Sequence, residues 1–482
     1  MTELTQSLKL AVTRYPGTMA ELARRAAIDR STLYKIISGQ RTPRQEQVER
    51  LADALELNEE QKTALLTQYK RRGRSTDPKI RAELHRLLEA AFRVQDYTRR
   101  EGVISNEAAQ ETSWTPHYVG GARAVEAAVG ALVARHLLSG DTRPLLLSPF
   151  TNPVLDKALL DRFSAVEGAP VQVSQLLIFA ANSDIPREWV SDVSALTRTL
   201  PLLFLPKVNY EARVVRCALT EPSPGTLMPV YLLLPEAAVM MDRQGQKAYV
   251  ITDKETVGNL RLSFSRKYID GSSVLKLATS SHDFSESMAL YGRLFAKKRR
   301  CSMLRYQPPF TLFADREMAL RVVRQDAPAA PMLPLWLDYL NGWNQQTPDL
   351  YFCEEGILQF VRTGRMFDLP PDLYNPPDVE MRRELLRRLY KAAASDRQTV
   401  RIVDAAQLPM TPTMSVNVFQ GSGVVFCQAV LEPGKMYCRE YLMEDPVLTD
   451  ALLGYLDEDK ASAQMRSQKY TLDFIDYCLR LL

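Results

Sequence analysis

Residues 18–44 read Thr18-Met-Ala-Glu-Leu-Ala-Arg-Arg-Ala-Ala-Ile-Asp-Arg-Ser-Thr-Leu-Tyr-Lys-Ile-Ile-Ser-Gly-Gln-Arg-Thr-Pro-Arg44. Thr18 followed three residues later by Glu21 spells a capping box, in which each side chain satisfies the other's free backbone N–H, so a helix starts there. Leu22, Ala23 and Ala26 fall on one face of it. Asp29 is a good N-cap for a second helix, because its carboxylate accepts from first-turn N–H groups and faces the positive end of the dipole. In that second helix Leu33 and Ile36, with Ile28 before it, point inward. Arg30, Ser31, Tyr34 and Lys35 are left on the outer face, and Ser38-Gly39 supplies the stop. The stretch therefore predicts two short helices joined by a tight turn.

The distribution of charge adds a second signal. Residues 1–74 hold 14 Lys and Arg against 9 Asp and Glu, whereas the rest of the chain holds 47 against 48. The basic excess sits beside the two-helix unit, where it suits a phosphate backbone. The outer-face residue types are those that hydrogen-bond base edges in a major groove. The combination predicts a helix-turn-helix that binds double-stranded DNA.

Met1 to about Tyr69 resembles the Cro and phage-repressor type of helix-turn-helix, the xenobiotic-response-element (XRE) family. The resemblance implies an all-α domain of five helices near 4–14, 18–26, 29–38, 44–56 and 58–70, with the third as recognition helix. Pro43 before Arg44, then Val48, Leu51, Leu55 and Leu57, fits the family's fourth helix. Carried onto this chain, the base-reading positions are Arg30, Ser31, Tyr34 and Lys35, and the phosphate-facing positions are Thr18, Thr32, Gln40, Arg41 and Arg44. Two positions depart from the pattern. Met19 stands where relatives often carry a phosphate-clamping Gln, and Ala27 stands where the turn usually has Gly. The second departure costs on the order of 1 kcal/mol if the position needs positive φ.

Past the first 70 residues the chain reads as a larger mixed α/β (α+β) regulatory region. Residues 71–105 are expected to hold a basic linker, Lys70-Arg-Arg-Gly-Arg-Ser-Thr-Asp-Pro78, and a connecting amphipathic helix with Ile80, Leu84, Leu87, Leu88, Ala91 and Val94 at helical spacing. That helix serves either as a dimer or signalling element or simply docks on its own C-terminal region. Residues 106–300 are expected to form an α/β sensor subdomain. Within it lie a helix at 122–138, a strand at 144–149, a helix at 152–163 and a strand at 171–179. Strands at 230–234, 237–241 and 248–251 lead into a helix from Asp253, and 424–430 and 436–441 leading into Asp445 echo that order. Residues 301–482 are therefore read as a second α/β subdomain, a loose repeat of the first, with helices at 354–365, 379–393 and 470–482.

Signs of catalysis or metal binding are few. His85, His117, His136 and His282 stand far apart, and Cys217, Cys301, Cys353, Cys427, Cys438 and Cys478 form no C-x-x-C pair. Phosphate-loop, dinucleotide and nucleophile-elbow motifs are missing from the sequence. No enzyme activity, cofactor or metal is expected. Gly120-Gly121 can cradle an anion or form a turn, and Gly421-Ser-Gly423 reads as a hairpin turn. Lys297-Lys-Arg-Arg300 reads as an effector or DNA contact, or as a solvated helix end. Trp336, Tyr339 and Trp343 line an effector pocket or dimer contact, or pack in the core. No apolar run reaches 18 residues, so no membrane span or export signal is expected and the location expected is the cytoplasm. Together these readings predict a bacterial-type transcriptional regulator, a homodimer on DNA, answering to an unknown small-molecule or protein effector. The alternative is an antitoxin-like or defence-associated protein-interaction component with autoregulatory DNA binding.

Overall fold

The computed structural model describes all residues except 1–2, 39–42, 95–115, 151, 165–169, 181–185, 206–207, 218–226, 280–283, 298, 325–333, 335–336, 339–346, 396, 433–434 and 459–463. They form two compact units, Met1–Ala82 with Asp450–Lys460, and Glu83–Thr449 with Ala461–Leu482.

The first unit is helical: α1 (Glu3–Thr13), α2 (Met19–Arg25), α3 (Arg30–Ile37), α4 (Gln45–Ala54) and α5 (Glu59–Thr76). Leu4, Leu8, Leu22, Ala26, Leu33, Ile36, Val48 and Leu51 close around one core, and Met19 packs partly buried against it. Two helices end in the same way. Ile28 N donates to Ala23 O and Ala27 N to Arg24 O after α2; Leu57 N donates to Ala52 O and Glu56 N to Asp53 O after α4. This crossed pair of bonds needs a left-handed residue, and the positions are held by Ala27 (φ 50°) and Glu56 (φ 54°) rather than glycine.

The basic stretch after Tyr69 differs from the expected linker. α5 runs on through Lys70, Arg71, Arg72 and Arg74 to Thr76. The reason is local: Lys and Arg are good helix formers and a single Gly73 is tolerated, so the helix continues until Asp77-Pro78 disfavours it. Asp77 then caps the next helix, α6 (Pro78–Phe92), accepting from Lys79 N at 2.8 Å. Ile80, Leu84, Leu87, Leu88 and Ala91 of that helix are all buried.

The second unit is built on one mixed sheet. Its first run of elements is β1 (His117–Gly120), α7 (Ala122–Ser139), β2 (Leu145–Leu147), α8 (Pro153–Phe163), β3 (Val171–Ala180), α9 (Pro186–Leu203) and β4 (Val208–Cys217). It continues with β5 (Val230–Leu233), β6 (Ala238–Met241), β7 (Lys247–Ile251) and α10 (Lys254–Asp270). A second run follows: β8 (Ser272–Thr279), α11 (Phe284–Phe295), β9 (Cys301–Arg305), α12 (Arg316–Val322), β10 (Asp349–Phe352), α13 (Glu354–Thr363) and α14 (Val379–Ala394). After these come β11 (Val400–Ile402), β12 (Met414–Phe419), β13 (Gly423–Glu432) and β14 (Lys435–Met443), then α15 (Pro446–Glu458), most of which is counted with the first unit, and a closing α16 (Gln468–Leu481).

Among the described residues the spatial order of strands is β1-β7-β6-β5-β2-β3-β4-β8-β14-β13-β12-β9-β10-β11. The last seven strands repeat the order of the first seven, element for element. In each run three consecutive strands are parallel, β2-β3-β4 and β9-β10-β11. In each, an antiparallel hairpin series is added beside the first of the three, through β2·β5 and β9·β12. Even the capping recurs: Asp253 accepts from Thr256 N and Asp445 from Leu448 N, each at 2.8 Å. β8 joins the runs, pairing antiparallel with β4 on one side and β14 on the other. The strands of 106–300 and 301–482 thus share one sheet, and the second run starts at β8 rather than at residue 301.

The junction carries buried polar ties as well as strand pairing. Arg439 on β14, 7% exposed, donates to the Val208 carbonyl at 3.0 Å. Arg216 at the end of β4 pairs with the cap residue Asp445 at 2.5 Å. Elsewhere, the end of β9 lies tight against the first turn of α13. A Cβ placed on Gly356 would come within 2.0 Å of the Tyr306 carbonyl oxygen, while Cys353 N and Sγ donate to that same oxygen at 3.3 and 3.1 Å. Gly356→Ala is therefore expected to lower stability by about 1–3 kcal/mol, the cost of overpacking, as measured by urea unfolding; an unchanged midpoint would show that the two segments separate freely.

Candidate nucleic-acid interface

α3 presents the candidate site, and the way it is started fixes which residues face out. Asp29 accepts from Thr32 N and from the Ser31 hydroxyl, both at 2.8 Å. The Thr32 hydroxyl, the Thr32 N–H and the Ser31 hydroxyl, in that order, hold the Asp29 carboxyl down at about 2. A carboxylate fixed at the N-terminus also opposes the helix dipole favourably. Thr32, Leu33 and Ile36 are 7%, 0% and 1% exposed, so one side of α3 is wholly buried.

Arg30, Ser31, Tyr34 and Lys35 are exposed on the opposite side, with Tyr34 at 66%. These four lie on one helix of eight residues, within two turns. An α-helix of about 10–12 Å diameter fits a major groove about 12 Å wide. The face offers a guanidinium, a hydroxyl, a phenol and an ammonium, which together can donate to purine N7 and O6 and to phosphate.

The expected phosphate-facing residues divide. Thr18 and Arg44 are exposed at the N-termini of α2 and α4. Thr18 completes its capping box, donating from N to Glu21 Oε2 at 2.8 Å while its hydroxyl accepts from Glu21 N at 3.2 Å. The Arg44 backbone N–H donates to Gln47 Oε1 at 2.8 Å, and Arg44 is exposed at the N-cap of α4. Thr32 is corrected: it is buried, and its hydroxyl serves the Asp29 cap, so it does not belong to the outer face. The i+3 position from an N-cap turns inward here because Leu33 and Ile36 fix the helix rotation. Gln40 and Arg41 lie outside the described residues.

Two contacts were not evident in the sequence. Arg50 of α4 donates to the Ala27 carbonyl at 3.4 Å, and Arg25 pairs with Glu56 at 2.6 Å. The two left-handed turns are thus each tied to a neighbouring helix by an arginine. The only sequence signal for this was the missing glycine at Ala27.

Other singled-out residues do not gather into a site. Gly121 (φ 92°) caps α7 and donates from N to Gln246 O at 2.7 Å, a turn contact. Gly421 (φ 63°) and Gly423 (φ 137°) form the β12–β13 hairpin. His136 is buried, and desolvation lowers its pKa. Among the described residues no group of three or more His, Cys, Asp and Glu is arranged to hold a metal, and no helix is long and apolar enough to cross a membrane. His282, Lys298, Trp336, Tyr339 and Trp343 lie outside the described residues.

The cap gives a pH prediction with a definite sign. Because folding lowers the Asp29 pKa from near 4 to about 2, the stabilisation is present above pH 4 and is lost as pH falls through 2. Asp29→Ala should therefore unfold at lower temperature than the parent protein at pH 6, with the gap closing between pH 4 and 2. A gap independent of pH, followed by circular dichroism, would exclude the carboxylate as its source.

A family model described as a helix-turn-helix domain matches residues 18–65. No curated protein matches the chain. Among solved structures, TrmBL2, described as an archaeal chromatin protein with a novel mode of DNA binding, is 14% identical over 57% of this chain and 95% of that one. The TM-score between the two is 0.19. The chain carries a helix-turn-helix DNA-binding domain at 18–65, followed by a mixed α/β region with a large sheet.

Proposed function

We propose that the protein is a sequence-specific transcriptional regulator of the XRE type, with α3 as its recognition helix and the sheet region as its effector-sensing or oligomerisation part. The observation that carries the reading is the division of α3 into a buried side and an exposed side bearing Arg30, Ser31, Tyr34 and Lys35. In this reading these four contact base edges. Thr18 and Arg44, at two helix N-termini, sit against phosphate, where backbone N–H groups and the dipole favour an anion. Gln40 and Arg41 are assigned the same role from the family resemblance. No step of the reading calls for an enzyme, a cofactor or a metal.

Pairing of two protomers completes the proposal. A single small domain offers few base contacts, and two domains bound to half-sites one helical turn apart, or a multiple of it, gain affinity through effective concentration. Sedimentation of the protein bound to its operator is expected to give two protomers per duplex; one protomer per duplex at saturation would remove the dimer.

The roles assigned to single residues separate in a salt series. Arg30→Ala is expected to cost about 1–3 kcal/mol on the specific site and relax selectivity, while Arg44→Ala weakens specific and random duplexes alike and flattens the salt slope by about one. Equal losses from both variants on both duplexes, measured by fluorescence anisotropy, would contradict the division between base and phosphate contacts.

A further inference from the structure

The closing helix α16 is apolar on two adjoining sides. Thr471, Ile475 and Cys478 are fully buried, and Leu472, Leu479 and Leu482 pack partly buried on the same core. Beside them Tyr470, Phe474, Tyr477 and Leu481 follow the 4-3-4 spacing of a single helical seam. Tyr470, Tyr477 and Leu481 are 40%, 47% and 51% exposed, and Phe474 is half-buried. One exposed apolar residue is ordinary, but a contiguous row of four marks an interaction surface. The neighbouring helix α14 shows solvent Glu380, Arg387 and Lys391 instead.

This stripe is held in shape by its own chain. The ring centres of Tyr470 and Phe474 are 6.4 Å apart, and those of Phe474 and Tyr477 are 6.2 Å apart. The Tyr470 hydroxyl donates to Glu354 Oε1 of α13 at 2.7 Å, and the Arg466 guanidinium lies 5.4 Å from the centre of the same ring. Side chains fixed in this way lose little freedom on docking, which lowers its cost. Tyrosine and phenylalanine are also residue types enriched at protein interfaces.

Charge beside the stripe selects what covers it. Asp473 and Arg480, two turns apart, are exposed and flank the stripe on its outer side. Arg480 pairs within the helix with Asp476 at 2.7 Å, and a guanidinium has donors left for a second carboxylate. Let a second α16 lie antiparallel to the first, with a two-fold axis between residues 475 and 476. Phe474 then meets Tyr477 of the second copy, and Tyr470 meets its Leu481. Asp473 and Arg480 each stand one position before a seam residue, and such positions face each other across an antiparallel pair. Asp473 therefore comes beside Arg480 of the second copy, and Arg480 beside its Asp473. A surface that carries its own complement fits a second copy of itself.

We propose that the Tyr470, Phe474, Tyr477 and Leu481 stripe is the surface on which two copies of this chain pair, α16 against α16 in antiparallel register. All of α16 lies in the second unit. The proposal rests on the reading of paired protomers given above and supplies its location. Two helices of 14 residues make an interface at the small end of the range, so the pairing depends on concentration.

The test is sedimentation of the full-length protein without DNA across a concentration series, with circular dichroism as a check on folding. The parent protein should pass from monomer to dimer. Tyr477→Asp, at an exposed position, should weaken dimerisation by about tenfold or more. Asp473→Arg sets like charges against each other across the pair, and Arg480→Asp does so with the opposite sign, so each alone should also weaken it. An equimolar mixture of these two variants sets unlike charges opposite each other and should restore the dimer. A parent protein that stays monomeric, a dimer unmoved by all three substitutions, or single losses without recovery in the mixture would each overturn the surface. Protomers per operator duplex, counted with the same variants, test the regulatory pairing separately. Two per duplex whatever the substitution keeps that pairing without this surface, whereas one per duplex beside a free dimer that the mixture restores keeps this surface without that pairing.

Discussion

The burial of one side of a two-turn helix is the constraint on which the DNA-binding end depends. With Thr32, Leu33 and Ile36 closed against Leu22 and Ala26, α3 has no rotational freedom left. The rotation decides at once that Arg30, Ser31, Tyr34 and Lys35 face out. The Asp29 cap, with Ser31 and Thr32 both engaged on it, fixes where the helix starts and hence which side chains stand in its first turn. The outward face of α3 is therefore a by-product of core packing, and one of its side chains, Ser31, also donates to the Asp29 cap.

Strain is concentrated at the ends of the helices that frame this face. Ala27 and Glu56 occupy left-handed backbone where glycine costs nothing, at a penalty of about 1 kcal/mol for a residue with a Cβ. Arg50 on the Ala27 carbonyl and Arg25 on Glu56 offset part of that penalty. In the second unit the comparable constraint is β8. It closes the gap between two runs of identical strand order, so each run's outer strand is covered by the other. The terminal strands of the whole sheet, β1 and β11, are four and three residues long. Short edges of that kind resist pairing with another chain.

What was legible in the sequence follows from the range of the forces involved. The capping box at Thr18, the N-cap at Asp29 and the helix starts near Asn152 and Asp253 are local, and each is found where its residues predicted it. The hairpin-to-helix order around Asp253 and Asp445 was visible for the same reason. Strands such as β10 and β11 were not, because β10 is buried throughout and carries no alternation, and β11 is three residues long, too short for a period to show. The basic stretch 70–76 misled through composition: a run of Lys and Arg is polar enough for a linker and equally suited to the end of a helix. Among the site residues, spacing distinguished the outer face of α3 but could not tell that Thr32 would be drawn into the Asp29 cap.

The central claim is that α3 reads bases. Selection of duplexes from a randomised pool tests it most directly, carried out in parallel with the parent protein and with an Arg30→Ala/Lys35→Ala double variant. The account predicts that the parent protein enriches a recurring motif and that the variant, still folded, enriches none. Enrichment of the same motif by both proteins would contradict it and place sequence recognition elsewhere in the chain.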